Sequence, residues 1–368
     1  MKLITSRSSL ATTIGKIQGI VPKKPAIPIL ANILLEARDG CISIAATDLT
    51  VGMCAQIEAT VTQPGAITLP ARLFFKLIRE LTSADVEIEA VAEETAVIRT
   101  GSAHFRLCGM HKSEFPALSN LAQAKSFKLP AHILREMFTH STFAAAREDS
   151  RQMLNGVLMR LVGKEAIFVG TDGKRLAKLS TLIAIEEEYH HDYVIPLKAV
   201  EEIIKLLDEE EEVTVRLLPD KIGIETASAF IITQLISDDF PDVDRIIPTA
   251  PPLAIKLHRE ELMTLLRQIS LFTPDKGHSV LFTFHDKELK LGATSKDIGE
   301  GEVSMPVDYT GDKLEIAFNP LFFHDILRHC REEVISLALT DPYNPGLITD
   351  AMNSKFVLMP MRLQSPVA

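Results

Sequence analysis

The chain has no tryptophan, four tyrosines and four cysteines in 368 residues. Cys41, Cys54, Cys108 and Cys330 are scattered and form no C-x-x-C pair, so neither a disulfide framework nor a zinc site is indicated. A reducing cytoplasm is the expected compartment. No stretch approaches the ~20 apolar residues of a membrane span, and Thr5, Ser6, Arg7, Ser8 and Ser9 interrupt the apolar start, so no secretory leader or membrane anchor is expected. Walker A, H-E-x-x-H and G-x-S-x-G sequences are missing, which removes the common phosphate, zinc-protease and nucleophile-elbow chemistries. A basic excess is absent too: 49 acidic against 39 basic side chains give a net charge of −10, which at face value argues against nucleic acid. Any DNA contact must come from a local patch.

What is present is repetition. With 46% hydrophobic and 24% charged residues the composition is that of a soluble globular protein with room for several cores. The opening MKLITSRSSL has variants in FKLPAHILREM from Phe127 and IKLHREELMTLL from Ile255, with the Lys-Leu pairs starting at positions 2, 128 and 256. A second element, LPARLFFKLIREL, IPLKAVEEIIKLL and FNPLFFHDILRHC, recurs with prolines at positions 70, 196 and 320. Proline suits a first helical turn, where its missing N–H costs nothing. Two independent elements share a spacing near a third of the chain, about 123 residues, a normal single-domain size.

Helical spacing in these elements separates an apolar stripe from a partly basic face. Phe74, Leu77, Ile78 and Leu81 oppose Arg72, Lys76 and Arg79; Val200, Ile203, Ile204 and Leu207 oppose Lys198 and Lys205; Phe323, Ile326, Leu327 and Cys330 leave Arg328 outside. The opening helices follow suit with Leu10, Ile14, Ile17 and Val21, then Leu134, Met137 and Phe138, then Leu262, Leu265, Leu266 and Ile269, leaving Lys16, Arg135 and Arg267 on their other faces. For any one helix an ordinary solvated face explains the charge. Between the helices lie short runs of strand character such as ISIAATD, DVEIEAV, AIFVGTDG, EEVTVRLL and ELKLGAT. The prediction is an α+β fold of three tandem similar domains, each with two helices packed on antiparallel sheet. Linkers at SNLAQAKS and IIPTAPP divide it into residues 1–122, 123–250 and 251–368.

Local chemistry is sparse. His190 and His191 stand beside Glu186, Glu187 and Glu188, but adjacent strand residues point to opposite faces and no second cluster completes a shell, so a solvated loop is favoured and no metal or cofactor is expected. The acidic runs at Glu186 to Glu188 and Glu209 to Glu212 read as exposed loop charge. GTDGKR, from Gly170, has the glycines of an anion-binding turn without P-loop spacing; an ordinary strand-to-strand turn explains it. VLMPMRL, from Val357, is either a last core strand or one wall of an adaptable Met-lined peptide pocket.

Taken together, PAIPIL followed by TDL, the PARLFF helix, LNGVL, TDGKRLA, DDFPDVDRIIP, the FNP helix and VLMPMRL resemble the bacterial sliding clamp family, the β subunit of DNA polymerase III, in order along essentially the whole chain. The resemblance implies a non-catalytic processivity factor. Two chains would join head to tail in a ring of six domains, with helices lining the hole. Implied partners are encircled double-stranded DNA, a second copy of the chain, the DNA polymerase III catalytic subunit, the clamp loader, and other polymerases and repair proteins carrying clamp-binding motifs.

Lys24, Arg72 and Lys198 match positions at or near DNA in the family. Helix phase adds Lys76, Arg79, Arg147, Arg151, Lys205, Arg267, Lys276 and Arg328 as DNA-facing candidates. The peptide pocket carries over onto Leu154, Thr171, Gly173, Lys174, Arg175, Leu176, Pro241, Arg245, Ile246, Val357, Met359, Pro360, Met361, Arg362 and Leu363. The ring-closing interface carries over onto Phe105 and Leu107 on an edge strand, against Leu271 and Phe272 near a helix end. Lys174 stands where relatives often have histidine, Gly277 where some have an aromatic, and Gln364 to Ala368 follow the Arg-Leu that usually ends the pattern. Two other readings stay open. One is an enzyme acting on phosphorylated substrates, with the basic faces and TDGK turn as its site; the other is a scaffold with the same pocket but no DNA.

Overall fold

The repeated helix signals fold as read. In a computed structural model that describes all residues except 120, 122–123, 185–188, 208–211, 249–252, 274–278, 351–353 and 363–368, the described residues form six α-helices, two in each third of the sequence. They are α1 (Arg7–Ile17), α2 (Ala71–Glu80), α3 (Ala131–Thr142), α4 (Leu197–Leu206), α5 (Arg259–Ser270) and α6 (Pro320–His329). The apolar stripes turn inward: Phe74, Ile78, Val200, Phe323, Ile326 and Leu327 are all buried, while Leu77, Ile204 and Leu265 are half-buried at the margin. Pro320 occupies the first turn of α6, where the Asn319 side chain accepts the Leu321 N–H at 2.9 Å. Pro70 and Pro196 instead stand one position earlier as N-caps, because each closes the preceding strand before its helix begins.

The chain divides into two compact units. One comprises Met1–Glu136, Ile183–Glu188 and Ile195–Ser237; the other comprises Met137–Leu182, Tyr189–Val194 and Asp238–Ala368. The first holds a five-stranded sheet ordered Thr60–Gln63, Lys2–Ser6, Asp85–Ala92, Thr95–Thr100 and Ala103–Cys108. Its larger sheet has eight strands, ordered Lys125–Pro130, Glu212–Leu217, Lys221–Glu225, Ala229–Gln234, Val51–Glu58, Cys41–Thr47, Asn32–Arg38 and Gly65–Pro70.

All but the last two residues of one strand of another eight-stranded sheet lie in the second unit, the strands being ordered Tyr189–Pro196, Gly156–Gly163, Glu165–Thr171, Arg175–Leu182, Lys355–Leu358, Gly346–Thr349, Val334–Leu339 and Leu253–His258. Gly299–Pro306, Glu288–Ser295, Val280–His285 and Leu314–Phe318 form its four-stranded sheet. Phe282, Phe318 and Phe323 meet with ring centroids 5.2–5.8 Å apart in the core under α6, and burying each contributes about 1.5–3 kcal/mol.

Both large sheets draw four strands from the middle third of the sequence and four from a flanking third. The first seam is antiparallel pairing of Ala229–Gln234 with Val51–Glu58, Ile231 opposite Met53. At the second, Arg175–Leu182 pairs with Lys355–Leu358, Leu176 opposite Val357. Backbone hydrogen bonds therefore run unbroken from one repeat into the next. Among the described residues no helix is long and apolar enough to cross a membrane, and no cluster of His, Cys, Asp and Glu has metal-binding geometry.

Candidate functional site

GTDGKR is a hairpin turn, as the turn reading requires. Strands Glu165–Thr171 and Arg175–Leu182 are antiparallel neighbours, and Asp172 organises the loop between them. Its Oδ1 accepts the N–H groups of Lys174 and Arg175, both at 2.9 Å, and the Thr171 hydroxyl donates to the Arg175 carbonyl at 2.7 Å. Gly173 sits at φ 81°, a left-handed conformation that favours glycine. A Cβ there would lie 3.2 Å from a guanidinium nitrogen of Arg151, so the missing side chain also leaves room for that arginine.

The hairpin is wedded to the end of VLMPMRL. Pro360 cannot donate to a ladder and the strand stops at Leu358, but the Met359 N–H still donates to the Lys174 carbonyl at 2.9 Å, and the Met361 N–H to Ala317 at 2.8 Å. Leu154, Leu176 and Val357 are buried, while Met359 is 38% and Ile246 44% exposed. Pro241 and Arg245 are exposed on the preceding segment, with Arg245 bonded to Asp242 at 2.8 Å. Arg362 is exposed; Pro360 and Met361 are half-buried. Leu363, Gly277, Lys276, Gln364 to Ala368, Glu186 to Glu188 and Glu209 to Glu211 lie outside the described residues.

Arg175 is held by two carboxylates and two rings. Its Nε donates to Asp172 at 3.1 Å and its Nη1 to Asp325 of α6 at 2.6 Å, while the guanidinium lies 4.6 Å from the Phe322 ring centroid and 5.6 Å from that of Phe143. Phe143 stacks at 4.1 Å on His329, whose Nδ1 meets the Asp325 carbonyl at 2.7 Å. Burial pushes His329 below its ordinary pKa, against the opposing pull of that carbonyl. Phe143, Phe322 and Asp325 were missed by sequence reasoning, since nothing in their local pattern marks them off from core or helix surface.

Tyr343 is 86% exposed on a turn stiffened by Asp341, which accepts the Tyr343 N–H at 2.7 Å and the Asn344 N–H at 2.9 Å. The following strand begins at Gly346, opposite Leu358, which puts this turn at the same sheet end as Met359.

The basic candidates that are described are all exposed. In the first unit Arg72, Lys76 and Arg79 share the outer face of α2, and Arg79 reaches over the Phe75 ring at 5.7 Å. Lys24 follows α1; Lys198 and Lys205 sit on α4, where Lys205 bonds to Glu202 at 2.7 Å. In the second unit Arg267 lies on α5 and Arg328 on α6.

Helix phase is the wrong argument for Arg147 and Arg151. The helix α3 ends at Thr142, where the Ser141 hydroxyl bonds back to the Met137 carbonyl at 2.8 Å, and both arginines lie on the segment beyond. Arg151 is gripped by Asp149 through its Nε at 3.0 Å, its Nη2 at 2.9 Å and its own N–H at 2.9 Å, which hold the Asp149 carboxyl down at about 2. That places Arg151 with the hairpin at Gly173.

The interface candidates occupy sheet margins. Phe105 is 37% exposed and Leu107 buried on Ala103–Cys108, an edge of the five-stranded sheet. Leu271, the C-cap of α5, is 73% exposed, and Phe272 packs against Gly301, on an edge strand of the four-stranded sheet.

Three family models match in tandem: "DNA polymerase III beta subunit" N-terminal domain over residues 1–119, central domain over 128–242 and C-terminal domain over 244–362. Among curated relatives, the Beta sliding clamp of Chlamydia pneumoniae is 47% identical over 99% of both chains, and that of Escherichia coli K12 is 29% identical over 99% of this chain and 100% of its own. The DNA polymerase III subunit beta of Pseudomonas aeruginosa superposes with a TM-score of 0.94 at 27% identity, covering 99% of this chain and 100% of its own. A second structure of that sliding clamp, bound to griselimycin, gives the same TM-score, identity and coverage.

Proposed function

The chain belongs to the DNA polymerase III beta subunit family, and from that premise we propose how it works: it is a DNA sliding clamp, a processivity factor that tethers DNA-processing proteins to duplex DNA. The observation that carries this reading is the segregation of charge within a strongly acidic chain. Its net charge is −10, yet the outer faces of α2 and α4 and positions on α5 and α6 expose arginine and lysine.

A head-to-tail dimer would close three repeats and their copies into a ring. Edge strand Ala103–Cys108 with Phe105 and Leu107 would meet Leu271 and Phe272 of the second copy. We place the domain boundaries at residues 1–122, 123–250 and 251–368. Inside the ring, Lys24, Arg72, Lys76, Arg79, Arg147, Lys205, Arg267 and Arg328 would face the phosphates, with Lys276 as a further candidate. Such contacts carry no sequence information and exchange with salt, so the ring stays on DNA by topology while it moves along it.

The hairpin at Thr171–Arg175 and the segment Val357–Arg362 form the peptide site. A short extended motif would set its apolar anchors on Leu154, Leu176 and Val357, between Ile246 and Met359 at the rim. Arg175, Phe143 and Phe322 would brace the wall, and Tyr343 would offer a ring to residues beyond the anchors. Motif-bearing polymerases, including the DNA polymerase III catalytic subunit, the clamp loader and repair proteins are the proposed occupants. The chain itself carries out no catalysis in this reading, and it acts in the cytoplasm.

Loading the protein with its clamp loader and ATP onto a nicked circular plasmid tests the proposal. Protein that co-elutes with the circle and is lost on linearisation is the expected result. Equal retention on circular and linear DNA would refute encirclement.

A further inference from the structure

We propose that Lys198 is a positioning residue that bolts down the segment leading to Lys24, rather than a phosphate contact itself. Its Nζ donates to the Ile20 carbonyl at 3.1 Å and pairs with Oδ2 of Asp48. Asp48 is already committed through Oδ1, which accepts the N–H groups of Thr50 at 2.9 Å and Val51 at 2.7 Å, and its side chain is only 15% exposed. One ammonium thus joins α4, the turn after α1, and the turn between strands Cys41–Thr47 and Val51–Glu58.

A second contact from the same helix face supports this. Glu202, one turn along from Lys198, is 6% exposed and lies over Gly19; a Cβ on Gly19 would be 2.3 Å from its carboxylate. No side chain larger than hydrogen fits there without moving Glu202. The segment is tied locally too, by Ile20 N–H to the Ile17 carbonyl at 3.0 Å and Val21 N–H to Gln18 at 3.2 Å. Ile20 and Val21 are buried, and Lys23 and Lys24 emerge exposed just beyond. The cation next to the carbonyl of Ile20 also suits the negative end of α1. For Lys198 to turn to a phosphate it would abandon Asp48, a largely enclosed carboxylate, and exchange one anion for another.

The two roles predict opposite signs for Asp48→Asn. If Lys198 meets phosphate, removing the competing carboxylate frees the lysine and DNA binds as well or better. If it is a bolt, Asp48→Asn and Lys198→Met act alike. The first measurement uses the free protein and is independent of the clamp reading: amide hydrogen exchange over Gly19 to Lys24 is expected to speed up about tenfold in both variants, with Lys198→Arg restoring protection.

The second rests on that reading. Anisotropy titrations of a labelled duplex across a salt series are expected to show both variants lowering the slope of log K against log salt by about 0.9, the loss of one phosphate contact. Lys24→Met gives the same drop, and combining it with Lys198→Met adds no further loss. Unaltered exchange, with tighter DNA binding by Asp48→Asn and an additive loss in the Lys24/Lys198 double variant, would overturn the bolt and restore the direct contact. Should the wild type bind no duplex at all, the clamp reading fails and the exchange data alone decide whether Lys198 holds the segment.

Discussion

Replacing Leu271 by alanine should dissolve the proposed dimer while leaving the fold intact. The side chain is 73% exposed on the isolated chain, so most of its burial remains to be gained on association. Fully burying a leucine is worth about 2 kcal/mol, of which roughly 1.5 kcal/mol is unrealised here. A head-to-tail ring closes through two equivalent interfaces, so the change acts twice and removes about 3 kcal/mol, or roughly 150-fold in the dissociation constant at 1.4 kcal/mol per tenfold. Sedimentation velocity over a dilution series should show monomer at concentrations where the parent stays dimeric, with unchanged thermal unfolding. Leu182→Ala serves as control, since Leu182 is 82% exposed on a strand outside the proposed interface. Equal dimer dissociation constants for parent and Leu271→Ala would refute the interface, and equal weakening by Leu182→Ala would refute its specificity.

Arg175→Gln loses two carboxylate partners and two aromatic faces at once, and should weaken binding of a short apolar motif peptide about tenfold by fluorescence anisotropy; Arg245→Gln, at an exposed pair, should change it less than about twofold. Acid should destabilise the second unit. Burial holds His329 below its ordinary pKa, so the unfolded chain protonates first; stability is complete above about pH 6.5 and falls as pH drops towards the folded value. Thermal unfolding between pH 7.5 and 5 should show that decline, and His329→Phe should lessen it, His324 being held below its ordinary pKa by burial as well. Among the thiols, Cys330 is buried and pushed up to about 12, so it should resist maleimide in the native protein. Cys108, exposed on the edge strand, should react in Leu271→Ala monomers and be protected in the parent dimer.

The features legible in the sequence are those with a local period or a local turn. Helix stripes such as Phe74 and Ile78 or Phe323 and Ile326 repeat at helical spacing, and the Asp172–Gly173 turn is written in adjacent residues. What stayed hidden depends on partners distant in sequence. Nothing around Met53 announces that Ile231 will pair with it, because an edge strand that will be joined reads like one that will not. Helix phase could place Lys198 outside α4, but not disclose that Asp48, 150 residues away, occupies it. The same limit applies to Arg151, where extrapolating a helix past its end assigned a face to a residue on an irregular segment. Phe143 and Phe322 look like core residues, and only the guanidinium of Arg175 shows them gathered around one cation.

The two seams carry a consequence for how such a chain can be cut. Excised alone, the middle third would present Ala229–Gln234 and Arg175–Leu182 as two raw edges, each stripped of a native neighbour and free to recruit strands from other molecules. The repeat that is evident in the sequence is therefore not a portable module. A gene fragment encoding it should yield aggregates, and a fragment that keeps one seam whole restores the neighbour of that edge while leaving the other bare.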